Sequence, residues 1–234
     1  MPSKKSLDAI VDAAWRALDE GLVEDALDLA ADALEIDAHD ADAHAILGAA
    51  RFELLEIEEA RAHLASALAL RADHPDAHYW MALVFEREGN ETQAARHLRE
   101  AARGDPERYP KPFRLDEKAF QREVEAALEK LPREFRDELT NLAIVVEPIP
   151  DANLLQGDPP LPPTILGLHV GTPRPQRANA PGAGPNTIFL FQRNIERAAT
   201  TREELLEQIE VTLLHEIGHY LGLDEDDVGS RGLE

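Results

Sequence analysis

Three segments of the N-terminal half align with one another: EDALDLAADALEID (24–37), EEARAHLASALALR (58–71) and TQAARHLREAARGD (92–105). Alanines recur at matching places with a spacing of 34 residues, as Ala26, Ala60 and Ala94 and again as Ala33, Ala67 and Ala101. A period of this length predicts stacked helix pairs, because a single pair cannot bury its own apolar face. We expect three units, at about 7–40, 41–74 and 75–108.

The spacing and the small residues resemble the tetratricopeptide (TPR) family over nearly half of the chain. His44 and His78 stand in the usual Trp position, whereas Phe85 fits the usual Tyr position. The resemblance implies an all-α solenoid with a protein partner on its concave face, and a spacer or stabilising collar is the open alternative. Six histidines of this half lack metal-ligand spacing and are interpreted as surface or packing residues: His39, His44, His63, His74, His78 and His97.

The composition narrows the function classes. The 234 residues favour two domains, and 46 acidic against 24 basic residues, a net charge of −22, argue against nucleic acid or an anionic membrane surface as partner. The absence of cysteine excludes a disulfide scaffold, an iron–sulfur cluster and a thiol nucleophile. Because no apolar run follows Lys4 and Lys5, we predict no signal peptide, and because no stretch approaches the roughly 18 apolar residues of a membrane helix, we predict no such helix. We therefore expect a cytoplasmic protein.

The sequence of the second half predicts a domain that contains both helices and strands. Prolines at 106, 110 and 112 mark a linker around 105–114, so the predicted domains are 1–108 and 109–234. We expect helices at 116–131 and 132–139 and strands at 142–147, 164–171 and 187–192. The proline-rich stretch 148–186 is predicted to be a long loop, either functional or an ordered wrap around a small core.

The last predicted helix carries His215-Glu216-Ile217-Gly218-His219. Thr201 and Glu204 form a capping box at its start, and Leu206, Ile209, Leu213 and Ile217 form its apolar stripe. Two histidines four residues apart lie on one face of a helix, where both rings can bind one zinc ion. Glu216 can then act as general base on the water at the metal.

A catalytic zinc needs a third protein ligand, and without cysteine it has to be another histidine or a carboxylate. Gly222, three residues after His219, lets the chain turn back toward the metal. The residue three positions further on is Glu225, which we predict as the ligand. Its neighbours Asp224 and Asp226 remain alternatives.

From about residue 113 to 227 the chain resembles the small bacterial minimal zincins, a family of zinc metallopeptidases. The resemblance rests on LPREFRDELTNLAIVVE (131–147), ILGLHVGTP (165–173), NTIFLFQRNI (186–195) and above all VTLLHEIGHYLGLDEDD (211–227). It implies a metal held by His215, His219 and the acidic residue at 225, with Glu216 as the catalytic residue. The family more often carries Asp at the last position, and His169 is interpreted as a pocket or packing residue.

We therefore predict an α+β protein, a TPR-like solenoid followed by a small zincin-like domain that hydrolyses peptide bonds. A peptide substrate would lie extended along the edge of the strand at 187–192. Tyr220 and Arg193 are weak candidates for binding the oxyanion. Two alternatives stay open: a TPR adaptor with a structural or inactive zinc domain, and a metal-dependent hydrolase of a non-peptide amide.

Overall fold

The computed structural model describes residues 4–131, 133–136, 139, 141–157, 160–173 and 184–223. The chain divides into two compact units, Met1–Lys111 and Pro112–Glu234, each of which is described by itself. That the predicted ranges 1–108 and 109–234 are independent domains stays a prediction. Among the described residues, no helix has the length and apolarity needed to span a membrane.

The N-terminal unit consists of six helices in three consecutive pairs. They are α1 (Lys4–Asp19), α2 (Val23–Ile36), α3 (Ala41–Glu53), α4 (Ile57–Leu70), α5 (Pro75–Arg87) and α6 (Glu91–Gly104). The second helices begin at Val23, Ile57 and Glu91, which are 34 residues apart, and α3 and α5 begin one period apart as well. The predicted period and the predicted starts of the second and third units at 41 and 75 are therefore confirmed.

Small residues allow the paired helices to approach closely. The six alanines that define the period are at most 2% exposed. At Gly48 of α3, an added Cβ would lie 2.5 Å from Cγ of Leu64 on α4, so a larger residue would force the Leu64 side chain to move. The turns inside the pairs also repeat, because Gly21, Leu55 and Gly89 all have φ between 60° and 75°. Leu55 is the only one of the three with a Cβ, which strains this left-handed conformation.

The C-terminal unit combines helices with a three-stranded sheet. Its elements are α7 (Glu117–Lys130), α8 (Arg133–Arg136), β1 (Leu142–Glu147), a 3₁₀ turn (Ala152–Leu155), β2 (Gly167–Val170), β3 (Asn186–Phe191), α9 (Gln192–Arg197) and α10 (Arg202–Leu221). Asp116 caps α7 by accepting a hydrogen bond from the Ala119 N–H at 2.8 Å. The predicted α+β class and the predicted strands are confirmed, although β2 is shorter than expected.

The sheet order is β1-β3-β2, which makes β3 the central strand. β1 pairs with it in parallel, Ile144 opposite Ile188, and β2 pairs with it antiparallel, Leu168 opposite Phe189. The expectation that a substrate lies along the edge of 187–192 is therefore wrong, because both edges of β3 are already paired. In the described sheet, β2 is an edge strand.

α10 packs its apolar side against α7 and the sheet. Its buried residues include Leu205, Ile209, Leu213 and Ile217. They belong to one hydrophobic core that also contains Phe120, Val124, Ile188 and Leu190. The predicted stripe named Leu206 in place of Leu205. Leu206 is half-buried and Leu205 is fully buried, because the face of the first helical turn that packs on the core carries Leu205.

Candidate metal centre and active site

Helix α10 has a well-defined start and end. The Thr201 hydroxyl accepts from the Glu204 N–H, and the Glu204 carboxylate accepts from the Thr201 N–H, so the predicted capping box is present. The helix ends at Gly222 with φ 79°, and the Leu223 N–H donates to the Gly218 carbonyl at 3.0 Å. The sharp turn predicted after His219 is therefore found.

The two histidines of the motif meet on one face of α10. Nε2 of His215 and Nε2 of His219 lie 3.0 Å apart, and the rings are nearly perpendicular at 86°. Tetrahedral zinc with bonds of about 2.0–2.1 Å places two nitrogen ligands about 3.3 Å apart. The distance between the two Nε2 atoms is within a few tenths of an ångström of that value. Neutral imidazole is also a ligand that zinc prefers. This pair of donors fits zinc.

Glu216 is only 6% exposed and lies against the edge strand β2. A Cβ added to Gly167 would lie 2.8 Å from Cγ of Glu216, 2.9 Å from its Oε1 and 3.0 Å from Cγ2 of Thr212. The backbone of β2 therefore passes so close to this carboxylate that any side chain at position 167 would displace Glu216. Sequence analysis missed Gly167, because a single glycine in a predicted strand carries no sign of what it approaches.

A cavity of about 380 Å³ opens beside the motif, between α10 and the start of β2. Ile165, Leu166 and Val211 make part of its wall apolar, and Gln208 and Thr212 add polar groups. His215 and Glu216 line it as well. The motif therefore faces a space that can take part of a ligand.

The predicted third ligand, Glu225, lies outside the described residues, as do its alternatives Asp224 and Asp226. Within the described ranges, no three His, Cys, Asp or Glu side chains come together in a group able to hold a metal. That His215, His219 and an acidic residue together bind a metal therefore stays a prediction.

Three other residues named from the sequence have structural partners. Nε2 of His169 lies 3.0 Å from Oδ1 of Asn186, and its ring meets that of Tyr220 edge to face. Burial lowers the pKa of His169, which favours the neutral ring. Tyr220 is 1% exposed, and Arg193 donates to buried Glu196 at 3.1 Å. The packing role of His169 and Tyr220 agrees with these contacts, and the observed partner of Arg193 is Glu196.

The scattered histidines of the N-terminal unit form pairs that the sequence did not suggest. Nδ1 of His44 on α3 lies 3.2 Å from Nδ1 of His63 on α4. One period later, the same atoms of His78 and His97 lie 2.9 Å apart, between α5 and α6. The signal was available, because both partners recur at a spacing of 34 residues. Each pair joins the two helices of its unit.

Residues 139–233 match the model of the zincin-like metallopeptidase family. The C-terminal unit is zincin-like. The match spans less than half of the chain, and it includes the sheet, α10 and the three motif residues His215, Glu216 and His219. It confirms the resemblance seen in the sequence and supports a metallopeptidase-type site in this unit.

Two solved structures are similar to the chain, a crystal structure of MamA and a second one described as MamA protein. Each is 23% identical, covers 56% of this chain and gives a TM-score of 0.38, with 71% and 66% of the other chain covered. A TM-score this low carries no argument about this chain, so the repeat architecture rests on the helix positions given above. No curated protein matches the sequence.

Proposed function

We propose that the protein is a zinc-dependent metallopeptidase, with the repeat unit recruiting proteins. The observation that carries this proposal is the arrangement on α10, where two Nε2 atoms lie 3.0 Å apart beside a buried glutamate. His215 and His219 would hold the zinc, with Glu225 as the proposed third ligand and Asp224 or Asp226 in its place otherwise. Bound zinc supplies Lewis-acid chemistry, which polarises a carbonyl oxygen and lowers the pKa of water.

Glu216 is the proposed catalytic residue. Its carboxylate would accept a proton from the attacking water and then return it to the nitrogen of the leaving amine. The position of the carboxylate against Gly167 supports this role, because the strand backbone restricts the conformations open to the side chain.

The position of the edge strand β2 favours a peptide as the substrate. An extended peptide can add to an exposed strand edge through main-chain hydrogen bonds, and β2 runs beside the cavity that His215 and Glu216 line. The side chains of the bound peptide would then point alternately into the cavity and toward the opposite face of the sheet. The cytoplasmic location remains a prediction from the sequence.

The test is hydrolysis of a peptide library by the full chain loaded with zinc. Glu216→Gln is expected to keep about one zinc per chain and to lose about 10²–10⁴-fold in turnover, the usual contribution of a general base. Glu207→Gln is the matched control, since it is the same substitution at an exposed place on the same helix and is expected to change nothing. Unchanged turnover in Glu216→Gln contradicts the assignment, and a zinc-loaded wild type that cleaves no peptide favours one of the two alternatives, adaptor or amide hydrolase.

A further inference from the structure

The chain folds back on the repeat unit directly after its last helix. Oδ1 of Asp105 accepts from the Arg108 N–H, and the carbonyl of Asp105 accepts from the Tyr109 N–H, both at 2.9 Å. These bonds close a turn between Pro106 and Pro110. The turn brings two large side chains onto the first helices of the first and third pairs.

Arg108 bridges two of these helices. Its guanidinium lies 5.5 Å from the ring centroid of Trp15 on α1 and 3.7 Å from Oδ1 of Asp19 on the same helix. Nε of the same side chain lies 3.5 Å from Oδ1 of Asp76 on α5. One cation is therefore held by an aromatic face and two carboxylates, a combination of cation–π and ionic contacts.

Tyr109 adds an aromatic contact and a hydrogen bond. Its ring stacks on Tyr79 of α5 with centroids 4.5 Å apart at 23°, and its hydroxyl donates to Oδ1 of Asp76 at 2.7 Å. Burial, together with the charge of Asp76, raises the pKa of Tyr109, so the hydroxyl stays protonated and keeps donating.

The four residues that receive these side chains, Trp15, Asp19, Asp76 and Tyr79, are called here the first-helix face. All four lie on first helices of their pairs, α1 and α5. The surrounding unit is acidic, with 24 acidic against 11 basic residues in 1–108, which favours a cationic ligand. The chain's own segment thus displays the chemistry that this face recognises.

Building on the proposed recruiting role of the repeat unit, we propose that the first-helix face is a binding site for peptides that present a cationic residue next to an aromatic one. Residues 105–111 occupy this site as a built-in competitor. A segment tethered this closely acts at an effective concentration of roughly millimolar, so a weak external peptide cannot displace it. A protein partner has to bind more tightly or offer a second contact. Its binding would free the segment that leads to the C-terminal unit.

The test uses the full chain and a fluorescein-labelled peptide of sequence DPERYPK, which copies residues 105–111. The double variant Arg108→Ser/Tyr109→Ser removes the competitor, and anisotropy is expected to show at least tenfold tighter peptide binding than in the wild type. Arg103→Ser is the matched control, because it also removes one positive charge, at an exposed arginine of α6. It is expected to behave as the wild type. Trp15 and Trp80 are the only two tryptophans of the chain, so their emission reports the same event without a label.

Two further comparisons give the result its specificity. A peptide with Glu and Ser in place of the Arg108 and Tyr109 equivalents is expected not to bind, and adding Asp76→Asn to the double variant is expected to weaken DPERYPK at least about fivefold. Equal binding to wild type and double variant, or none to a double variant that circular dichroism shows to be folded, overturns the proposal and leaves the segment as a terminal cap of the array. If the double variant does not fold, Arg108→Gln alone is expected to bind the peptide more tightly than the wild type, and failure to do so overturns the proposal equally.

Discussion

Both units bring histidine rings into contact, but they do so in different ways. In the zincin-like unit, His215 and His219 lie four residues apart on one helix and meet through Nε2. In the repeat unit, His44 meets His63, and His78 meets His97, through Nδ1 and across two helices. The first pair is visible in any sequence because helix geometry fixes it. The others depend on how two helices pack.

The surroundings of the pairs differ as much as their spacing. His215 lines a cavity, together with a buried carboxylate on the same helix. His78 is held on its other nitrogen by the Ala72 carbonyl at 3.0 Å, and the ring of His97 lies 5.3 Å from that of Phe85. We infer that the pair on α10 binds a cation and that the pairs of the repeat unit stabilise the contact between their helices.

The largest expected effect is on zinc content. His215→Ala is expected to weaken zinc binding at least a hundredfold, more than the usual cost of losing a group behind a ligand, so that metal analysis falls from about one zinc per chain to almost none. The matched double variant His44→Ala/His78→Ala is expected to keep its zinc. Zinc that stays in His215→Ala and leaves with the repeat histidines would reverse the distinction between the two kinds of pair.

The next effect concerns Gly167, which separates positioning from metal binding. Gly167→Ala forces Glu216 to move, because the new Cβ would lie 2.8 Å from its Cγ, and we expect a loss of about 10–100-fold in peptide hydrolysis with zinc content unchanged. Gly184→Ala is the control, since an added Cβ there meets no atom within 4 Å. Full activity in Gly167→Ala would show that the strand does not hold the glutamate.

The two units also differ in what the sequence could reveal. The period predicted the starts of the second and third repeat helix pairs, because similar segments have to bury similar faces, whereas the first pair begins at Lys4 and not at residue 7. In the C-terminal unit the motif predicted the two histidines, yet the sheet order and the contact of Gly167 with Glu216 could not be derived. β1 pairs with β3 across 44 residues and Gly167 approaches Glu216 across 49, and no local pattern encodes such contacts. The position of Glu225 remains a prediction from the motif.

A third effect is a pH dependence of the stability of the repeat unit. Burial, with His78 next to it, lowers the pKa of His97 to about 4, and burial lowers those of His63 and His78 as well. The unfolded chain, with a histidine pKa near 6.5, then binds more protons than the folded one between these values. The stability that these three histidines contribute in the neutral form is therefore complete above about pH 6.5 and is lost as the pH falls toward 4.

Glu53 has to be removed before this slope can be measured. Burial raises its pKa to about 7, so its protonation stabilises the folded unit over the same pH range and opposes the histidines. In a Glu53→Gln background, urea unfolding followed by tryptophan emission is expected to give a midpoint that falls from pH 7 to pH 4.5. His97→Gln is expected to reduce that fall, whereas the exposed His39→Gln is not. Equal slopes in the three proteins would show that His97 does not titrate as described.

The smallest effect uses the repeat unit as its own reference. Leu55 takes φ 60° at the turn where its equivalents are Gly21 and Gly89, with φ 75° and 73°. Leu55→Gly removes the clash of a Cβ in this conformation but gives the unfolded chain more freedom, so we expect a net stabilisation of about 0.5–1 kcal/mol. Leu22→Gly, at a turn residue with φ −83°, relieves no strain and is expected to be neutral or destabilising. The urea midpoint measures both, and a destabilised Leu55→Gly would mean that the leucine side chain contributes more than its backbone costs.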